Sequence, residues 1–380
     1  MLTIVVKTFY GLEEVLESEL VELGFKVKER LNRAVKLEGD WKDVYFINLH
    51  ARCAISVLVE LRTFEIKTEK DLYTEAAKID WTSLFDVRKS FSIKGAVNSS
   101  LFKHSQFPFL LVKDAVVDAF RDKIGDRPDV NIKSPQIVID LYVREKSAVL
   151  SVNTSGMPLF QRGYRQSTGE APLNEVVAAA LLRMSGWDKK TTLFDPFCGS
   201  GTILIEAALL AAGIPSNIER THYAFKNLKN YDAQTWESMH EAANKVVREL
   251  PCKIYGSDID SQMVMKTRRN LRAFPFGRFI EITNDDFNDV TIPEGPGLMI
   301  TNPPYGERLE TDVVSLYEMI GSTMKHRMQG YTCWIISSSE TGFKSVGLRP
   351  ERRIKLFNGD LECSFRKFSI YEGSKNPKKD

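Results

Sequence analysis

Two consecutive prolines flanked by an amide and an aromatic ring mark the most chemically pointed stretch of this chain, Thr301-Asn302-Pro303-Pro304-Tyr305-Gly306. The apolar run before it, Gly297-Leu298-Met299-Ile300, reads as a short buried strand. Proline cannot donate to a ladder and fixes its own φ, so the pair stops that strand. The chain is thereby halted at the carboxyl edge of a sheet, where open α/β folds bind ligands. The amide oxygen of Asn302, a carbonyl that the prolines leave unpaired and the flat ring of Tyr305 together suit a planar base carrying an exocyclic amino group. The plain alternative is a strand-ending turn, since Asn-Pro is a common turn dipeptide.

A second motif lies upstream. Asp195-Pro196-Phe197-Cys198-Gly199-Ser200-Gly201-Thr202 joins a strand to a helix. Its two glycines permit a tight turn and close backbone approach, and the helix start offers unpaired N–H groups. Position 204 is leucine, so the run is no dinucleotide fingerprint, and it lacks the Gly-Lys-Ser/Thr ending of a phosphate loop. Asp195 would repel a phosphate; it suits a ligand carrying a positive sulfonium and ammonium group. The next two strands also end in acid, at Gly256-Ser257-Asp258-Ile259-Asp260 and Asn284-Asp285-Asp286-Phe287. Asp258 is placed to take both hydroxyls of a ribose. Its separation from the glycines exceeds the usual ~20 residues, and an insertion over 213–250 accounts for the excess. Asp286 could accept from an adenine amino group, with Phe287 packing on the ring. Acids at strand ends also serve as caps and turn formers. Three in succession, followed by Asn-Pro-Pro-Tyr on a fourth strand, outweigh that reading.

The elements that must hold these residues alternate as strand and helix after Pro172, the signature of a doubly wound parallel sheet. Strands are expected at 191–194, 253–257, 279–283, 298–301 and 332–337, with helices at 202–212, 261–272 and 313–328. A closing antiparallel hairpin is expected at 353–357 and 363–371, and the inserted segment carries a helix over roughly 232–250. The first half reads differently. Residues 1–64 run β-α-β-β-α-β, a split βαβ module. Helices at 69–79 and 108–123, with strands at 91–97, 131–132, 136–143 and 148–153, form a second small unit.

At 380 residues the chain calls for two or three domains. Its 52 basic and 50 acidic residues leave a net charge of +2, and residues 1–155 hold 23 of each sign. Any nucleic-acid surface must therefore be a local patch assembled by folding. The five cysteines have no short pair spacing, which argues against a zinc knuckle and a disulfide framework and favours a reducing cytoplasm. Cys198 is read as a small packing residue. No 18-residue apolar run exists, so no membrane partner is expected.

The strand-end series resembles the S-adenosylmethionine-dependent methyltransferases of the Rossmann-like class, and Asn302-Pro303-Pro304-Tyr305 resembles the amino-methylating signature of nucleic-acid enzymes. More narrowly, Arg162-Gly163-Tyr164-Arg165 with Ala171-Pro172-Leu173-Asn174-Glu175, Asp195–Thr202 and Asn302–Arg308 resemble the bacterial THUMP-domain guanine methyltransferases that act on large-subunit ribosomal RNA. That likeness spans essentially the whole chain and is most specific in the C-terminal motifs. It differs from family members that carry a second methyltransferase half.

The resemblance implies an α/β protein: a Rossmann-like methyltransferase domain at 173–374, with a mostly parallel sheet and a C-terminal antiparallel hairpin. A ferredoxin-like unit (1–64), a THUMP RNA-binding unit (65–155) and a connector (156–172) precede it, and a disordered tail (375–380) follows. It implies S-adenosylmethionine contacts from Asp195, Phe197, Gly199, Ser200, Gly201, Thr202, Asp258, Ile259, Asp286, Phe287 and Asn302. Catalysis would fall to Asn302, Pro303, Pro304 and Tyr305, with no metal and with RNA as partner. Three alternatives remain open. A tRNA substrate is one; methylation of the adenine 6-amino group in DNA is another, although no helix-turn-helix is visible. The last is a non-catalytic RNA-binding assembly protein, against which the intact strand-end groups argue.

Overall fold

Apolar residues two apart in Leu2–Lys7 bury Ile4 and Val6 and make this segment, β1, a core strand. In the computed structural model, which describes residues 1–165, 173–244, 249–304 and 313–371, the chain forms two compact units, each built on a seven-stranded sheet. Tyr305, residues 166–172 of the expected connector and the expected tail lie outside the described residues.

The first unit comprises residues 1–8, 16–159 and 220–241. After β1 come α1 (Glu13–Glu22), β2 (Val27–Leu31), β3 (Ala34–Gly39), α2 (Trp41–His50) and β4 (Ser56–Glu65). They continue into α3 (Glu69–Ala77), α4 (Trp81–Leu84), β5 (Phe91–Asn98), α5 (Phe107–Ile124), β6 (Ile137–Arg144) and β7 (Ser147–Asn153). Helix α2 starts where Asp40 caps it: its carboxylate accepts from the N–H groups of Lys42 and Asp43, while Asp43 accepts from that of Asp40. The sheet order is β2-β3-β1-β4-β7-β6-β5. Because β4 pairs with both β1 and β7, the two small units expected from sequence share one sheet. The expected strand at 131–132 is not formed; Val130 makes an isolated bridge to Phe91 instead. Residues 220–241, read from sequence as part of the C-terminal insertion, pack within this first unit. There Phe225 lies 4.7 Å from Tyr45 between ring centroids, and its N–H donates to the Thr154 carbonyl.

The second unit comprises residues 9–15, 160–219 and 242–380. Its elements begin with α6 (Glu175–Met184), β8 (Thr192–Asp195) and α7 (Thr202–Ala211); α8 (Ala233–Asn244) falls mostly within residues 220–241 of the first unit. Then follow β9 (Ile254–Ser257), α9 (Ser261–Leu271), β10 (Ile280–Thr283), β11 (Gly297–Thr301), α10 (Val313–Arg327) and β12 (Thr332–Ser337). Helix α11 (Glu340–Ser345) and the hairpin of β13 (Arg352–Asn358) and β14 (Leu361–Ser369) end the fold. The sheet order is β10-β9-β8-β11-β12-β14-β13, with parallel pairing from β10 to β12 and antiparallel pairing on both sides of β14. From β8 the chain winds outward through β9 and β10; it then returns to β11 on the other side of β8 and winds outward again. The reversal lies between β8 and β11, the place where doubly wound sheets open a crevice at their carboxyl edge. Beneath it Phe194, Phe287, Met299, Tyr317 and Ile335 belong to one buried cluster.

Candidate active site

Strand β8 delivers Asp195 to the reversal point with only 1% of its surface exposed. The Thr301 hydroxyl donates to its Oδ1 at 2.7 Å, and the Phe197 N–H donates to the same oxygen at 3.2 Å. Burial still dominates these donors and pushes the Asp195 carboxyl up to about 7, with a small addition from the charge of Asp258. Such a group is poised to ionise against a cation.

The turn after β8 is tied down on every side. The Cys198 N–H donates to the Ser257 carbonyl, and the Gly201 N–H donates to the Cys198 carbonyl. The Thr267 hydroxyl donates to the Gly199 carbonyl at 2.6 Å, and Asn270 Nδ2 donates to that of Ser200 at 3.0 Å. Gly201, at φ +84°, precedes α7 as its cap; a Cβ there would stand 2.7 Å from Thr267 Cγ2. Gly199, at φ +55°, differs: its missing Cβ would point into open space. The turn therefore needs glycine at 201 for packing, while at 199 it leaves room for a ligand. Arg165 braces this turn from the connector. Its Nε donates to Glu175 at 2.7 Å, and its remaining nitrogens reach Ser200 Oγ at 3.3 Å and Thr202 Oγ1 at 3.1 Å. Cys198 is buried and its thiol is held well above the ordinary range by desolvation, consistent with a packing role.

Asp258 follows β9 and is half-buried. One carboxylate oxygen accepts from the Gly199 N–H at 2.8 Å and the other from the Asp260 N–H at 3.0 Å. Desolvation raises its pKa despite both donors. With about four lone-pair directions on a carboxylate, acceptor capacity remains for two hydroxyls. Ile259 beside it is 68% exposed, an apolar flank for a flat ligand. Asn284 Nδ2 clamps the loop from β10 by donating to the Asp258 and Ile259 carbonyls. The carboxylate of Asp286 accepts from the Asn288 N–H. Phe287 departs from its expected place: it is 2% exposed and packs edge-on to Phe197, so its ring presents no free face.

Strand β11 brings the last group. Thr301 is fully buried and Asn302 half-buried, with Pro303 buried and Pro304 exposed behind it. Asn302 Oδ1 is itself buried and has no hydrogen-bond partner among the described residues. An unsatisfied buried acceptor costs about 1–3 kcal/mol, which a ligand N–H would relieve. The fold thus brings Asp195, the 199–202 turn, Asp258 and Asn302 to the carboxyl edge of the sheet near the β8–β11 reversal. Thr301, Arg165, Thr267 and Asn270 support them: Arg165 and Thr301 lie within motifs named from the sequence but without a role, and Thr267 and Asn270 were not singled out at all. The role of Thr301 carries no motif signal, since only the adjacency of β8 and β11 joins this residue to Asp195.

Comparison with known proteins matches three family profiles in chain order: an RlmL ferredoxin-like domain over residues 3–58, a THUMP domain over 67–153, and an RMKL-like methyltransferase domain over 162–367. Among curated relatives, the ribosomal RNA large subunit methyltransferase K/L of Shewanella frigidimarina is 37% identical over 96% of this chain and 52% of its own length. That of Psychromonas ingrahamii is 35% identical over 97% of this chain and 50% of its own. The chain spans about half the length of the curated relatives it matches. Among solved structures, SMU.472 complexed with SAH superposes with a TM-score of 0.86 at 25% identity, covering 98% of this chain and 99% of that one. The methyltransferase profile alone covers more than half of the sequence, and the chain belongs to the RMKL-like methyltransferase domain family.

Proposed function

We propose that the chain transfers a methyl group from S-adenosylmethionine to the exocyclic 2-amino group of a guanosine in RNA, with large-subunit ribosomal RNA as the substrate. The buried, unpartnered Oδ1 of Asn302 at the β8–β11 reversal carries this reading. The curated relatives' names, the THUMP match and the SAH-bound structural relative support it. The residues present fit the cofactor. Buried Asp195 suits its cationic end, the space at Gly199 admits close approach, and Asp258 retains acceptors for a ribose.

When bound, S-adenosylmethionine supplies an activated methyl group on a sulfonium, a leaving group good enough that no strong base is needed. The protein's task is the amine. Its lone pair is delocalised into the guanine ring and attacks only when the nitrogen pyramidalises. Asn302 Oδ1 and the Pro303 carbonyl accept the two N–H groups, turning the lone pair toward the donor by positioning and electrostatics. Because Oδ1 is already desolvated, this acceptor needs no reorganisation during the reaction. A base inside a duplex must first be turned out, at a cost of a few kcal/mol. Tyr305, following the prolines, is assigned as the stacking face that offsets about 1–3 kcal/mol of it.

Labelled methyl transfer into large-subunit ribosomal RNA, tRNA and duplex DNA in parallel, followed by nucleoside digestion, tests the reading. N2-methylguanosine in ribosomal RNA is expected. Label in adenine of DNA, or in tRNA alone, overturns the substrate; cofactor binding with no transfer to any of them overturns the activity.

A further inference from the structure

A groove of about 510 Å³ lies in the second unit, away from Asn302, and the chemistry described so far makes no use of it. Its cationic lining comes from Arg268 and Arg272 at the end of α9 and from Arg278 in the 3₁₀ turn Pro275–Phe279. Its apolar floor includes Leu271, Ile280 and Ile282, and no carboxylate lines it. All three arginines are exposed, and among the described residues none pairs with an acid. Arg268 donates to the Ile282 carbonyl of β10, which anchors one wall. Arg278 lies over the ring of Phe279, 4.7 Å from its centroid, which holds a second cation at the rim. Strand β10 is the outermost strand on this side of the sheet.

Charged residues at a sheet edge commonly serve only to deter pairing. That role explains Arg268, which covers an edge carbonyl. It does not explain Arg272 and Arg278, which come from outside the strand and converge on the same hollow. In a chain of net charge +2, three guanidinia without an acidic partner among the described residues form, around one groove, a local anion site of the kind a balanced protein needs to hold a polyanion. Guanidinium forks match phosphate oxygens, and the apolar floor accommodates sugar.

We propose that this groove binds the phosphate backbone of the RNA outside the nucleotide that reacts. The inference rests on the RNA reading given above and adds a second place of contact to it. Three strand spacings separate β10 from β11, roughly 14 Å across the sheet. The groove lies toward the end of α9 opposite Asp258, so it acts on affinity and leaves the chemical step alone.

The test compares the full chain with Arg272→Ala/Arg278→Ala, leaving Arg268 and its backbone contact in place. The control, which removes one charge instead of two, is Arg269→Ala, an exposed arginine on α9 outside the groove lining. Binding of ribosomal RNA fragments is measured against salt, beside melting temperature and S-adenosylmethionine affinity. The double variant should keep its melting temperature and cofactor affinity. Its log–log salt slope should become shallower by roughly 1.4–1.8, two phosphate contacts' worth. KM for RNA should rise with single-turnover transfer at saturating RNA unchanged, and Arg269→Ala should leave the slope near wild type. If wild type binds RNA and the double variant keeps the wild-type slope, or the control changes the slope as much per charge removed as the double variant does, the groove assignment falls while the RNA reading stands. If inorganic phosphate stabilises wild type and the RNA slope does not move, the groove is a small-anion site and the proposal also falls. Failure of wild type to bind any RNA would remove the RNA reading itself.

Discussion

Thr301, the last residue of β11, donates its hydroxyl to Asp195, the last residue of β8, at 2.7 Å with both side chains out of solvent. The hydrogen bond crosses the place where the order of the parallel strands reverses, and it joins the glycine-turn motif to the Asn-Pro-Pro-Tyr motif. Removing the hydroxyl in Thr301→Val leaves a similar volume and an under-solvated carboxylate. Hydrogen bonds to charged groups contribute about 1.5–3 kcal/mol. S-adenosylmethionine affinity should therefore weaken by roughly 10- to 100-fold, with Asn302 chemistry at saturating cofactor little changed. Calorimetric titration beside single-turnover transfer checks the split; equal affinity in the variant would mean Asp195 does not face the cofactor.

The pH dependence follows from the same carboxyl. Its ordinary value is 3.8, and burial raises it to about 7 in the folded chain. Between those values the folded state holds a proton that the unfolded state has lost. This group's contribution to stability is therefore greatest below about pH 4 and declines as pH rises to about 7. A cationic ligand prefers the ionised form, so affinity should rise with pH up to about 7 and then level, with a proton released on binding near pH 6. Titration in buffers of different ionisation enthalpy reads that proton directly. Asp195→Asn should remove this carboxyl's share of the release and of the pH dependence of affinity, leaving only what Asp258 contributes.

The two glycines of the turn should respond differently to alanine. At Gly201 a methyl group would stand 2.7 Å from Thr267 Cγ2 in a left-handed backbone, so the variant should lose melting temperature first and affinity as a consequence. At Gly199 the methyl group meets nothing within 4 Å, leaving only the backbone strain, about 1 kcal/mol. Gly199→Ala should melt near wild type and yet bind cofactor much more weakly, because the methyl group occupies the ligand's approach. If both variants lose melting temperature and affinity in the same proportion, the space at Gly199 is not part of a binding site.

Much of this arrangement was legible in the sequence because its signals are local. Two prolines stop β11 and two glycines shape the turn, and both statements need only neighbours in the chain. What escaped notice depends on the fold. Thr301 and Asp195 are 106 positions apart, and only the adjacency of β8 and β11 joins them. Helix α6 went unread because residues Val176 through Leu182 are apolar and buried all round, which erases the 3.6-residue stripe that marks a surface helix. Phe287 was expected against a ligand because it follows an acid at a strand end. Its side chain turns into the core beneath Phe197, a direction that a four-residue strand does not reveal. The shared sheet of the first unit was hidden for the same reason, since β4 pairs on both edges with partners distant in sequence.

Asn302 offers the sharpest separation of function from folding. A buried acceptor without a donor destabilises the free protein, so its removal should not cost stability. Asn302→Ala should accordingly melt at or slightly above the wild-type temperature and bind S-adenosylmethionine normally. Turnover should nonetheless fall by roughly 10²–10³, the loss seen when one preorganised hydrogen-bonding group is taken from a transition state. The sign of the two changes carries the argument. A residue kept for packing loses stability and activity together. One kept for chemistry loses activity while stability holds or improves, because the strain it stored is released. Asn302→Asp sharpens the point: it keeps an acceptor and adds charge, so part of the rate should return below the pH at which the new carboxyl ionises. Single-turnover methyl transfer, melting temperature and cofactor affinity on the same preparations read all three. An Asn302→Ala protein that folds, binds cofactor and methylates guanine at the wild-type rate would show that the orphaned oxygen has no part in the reaction.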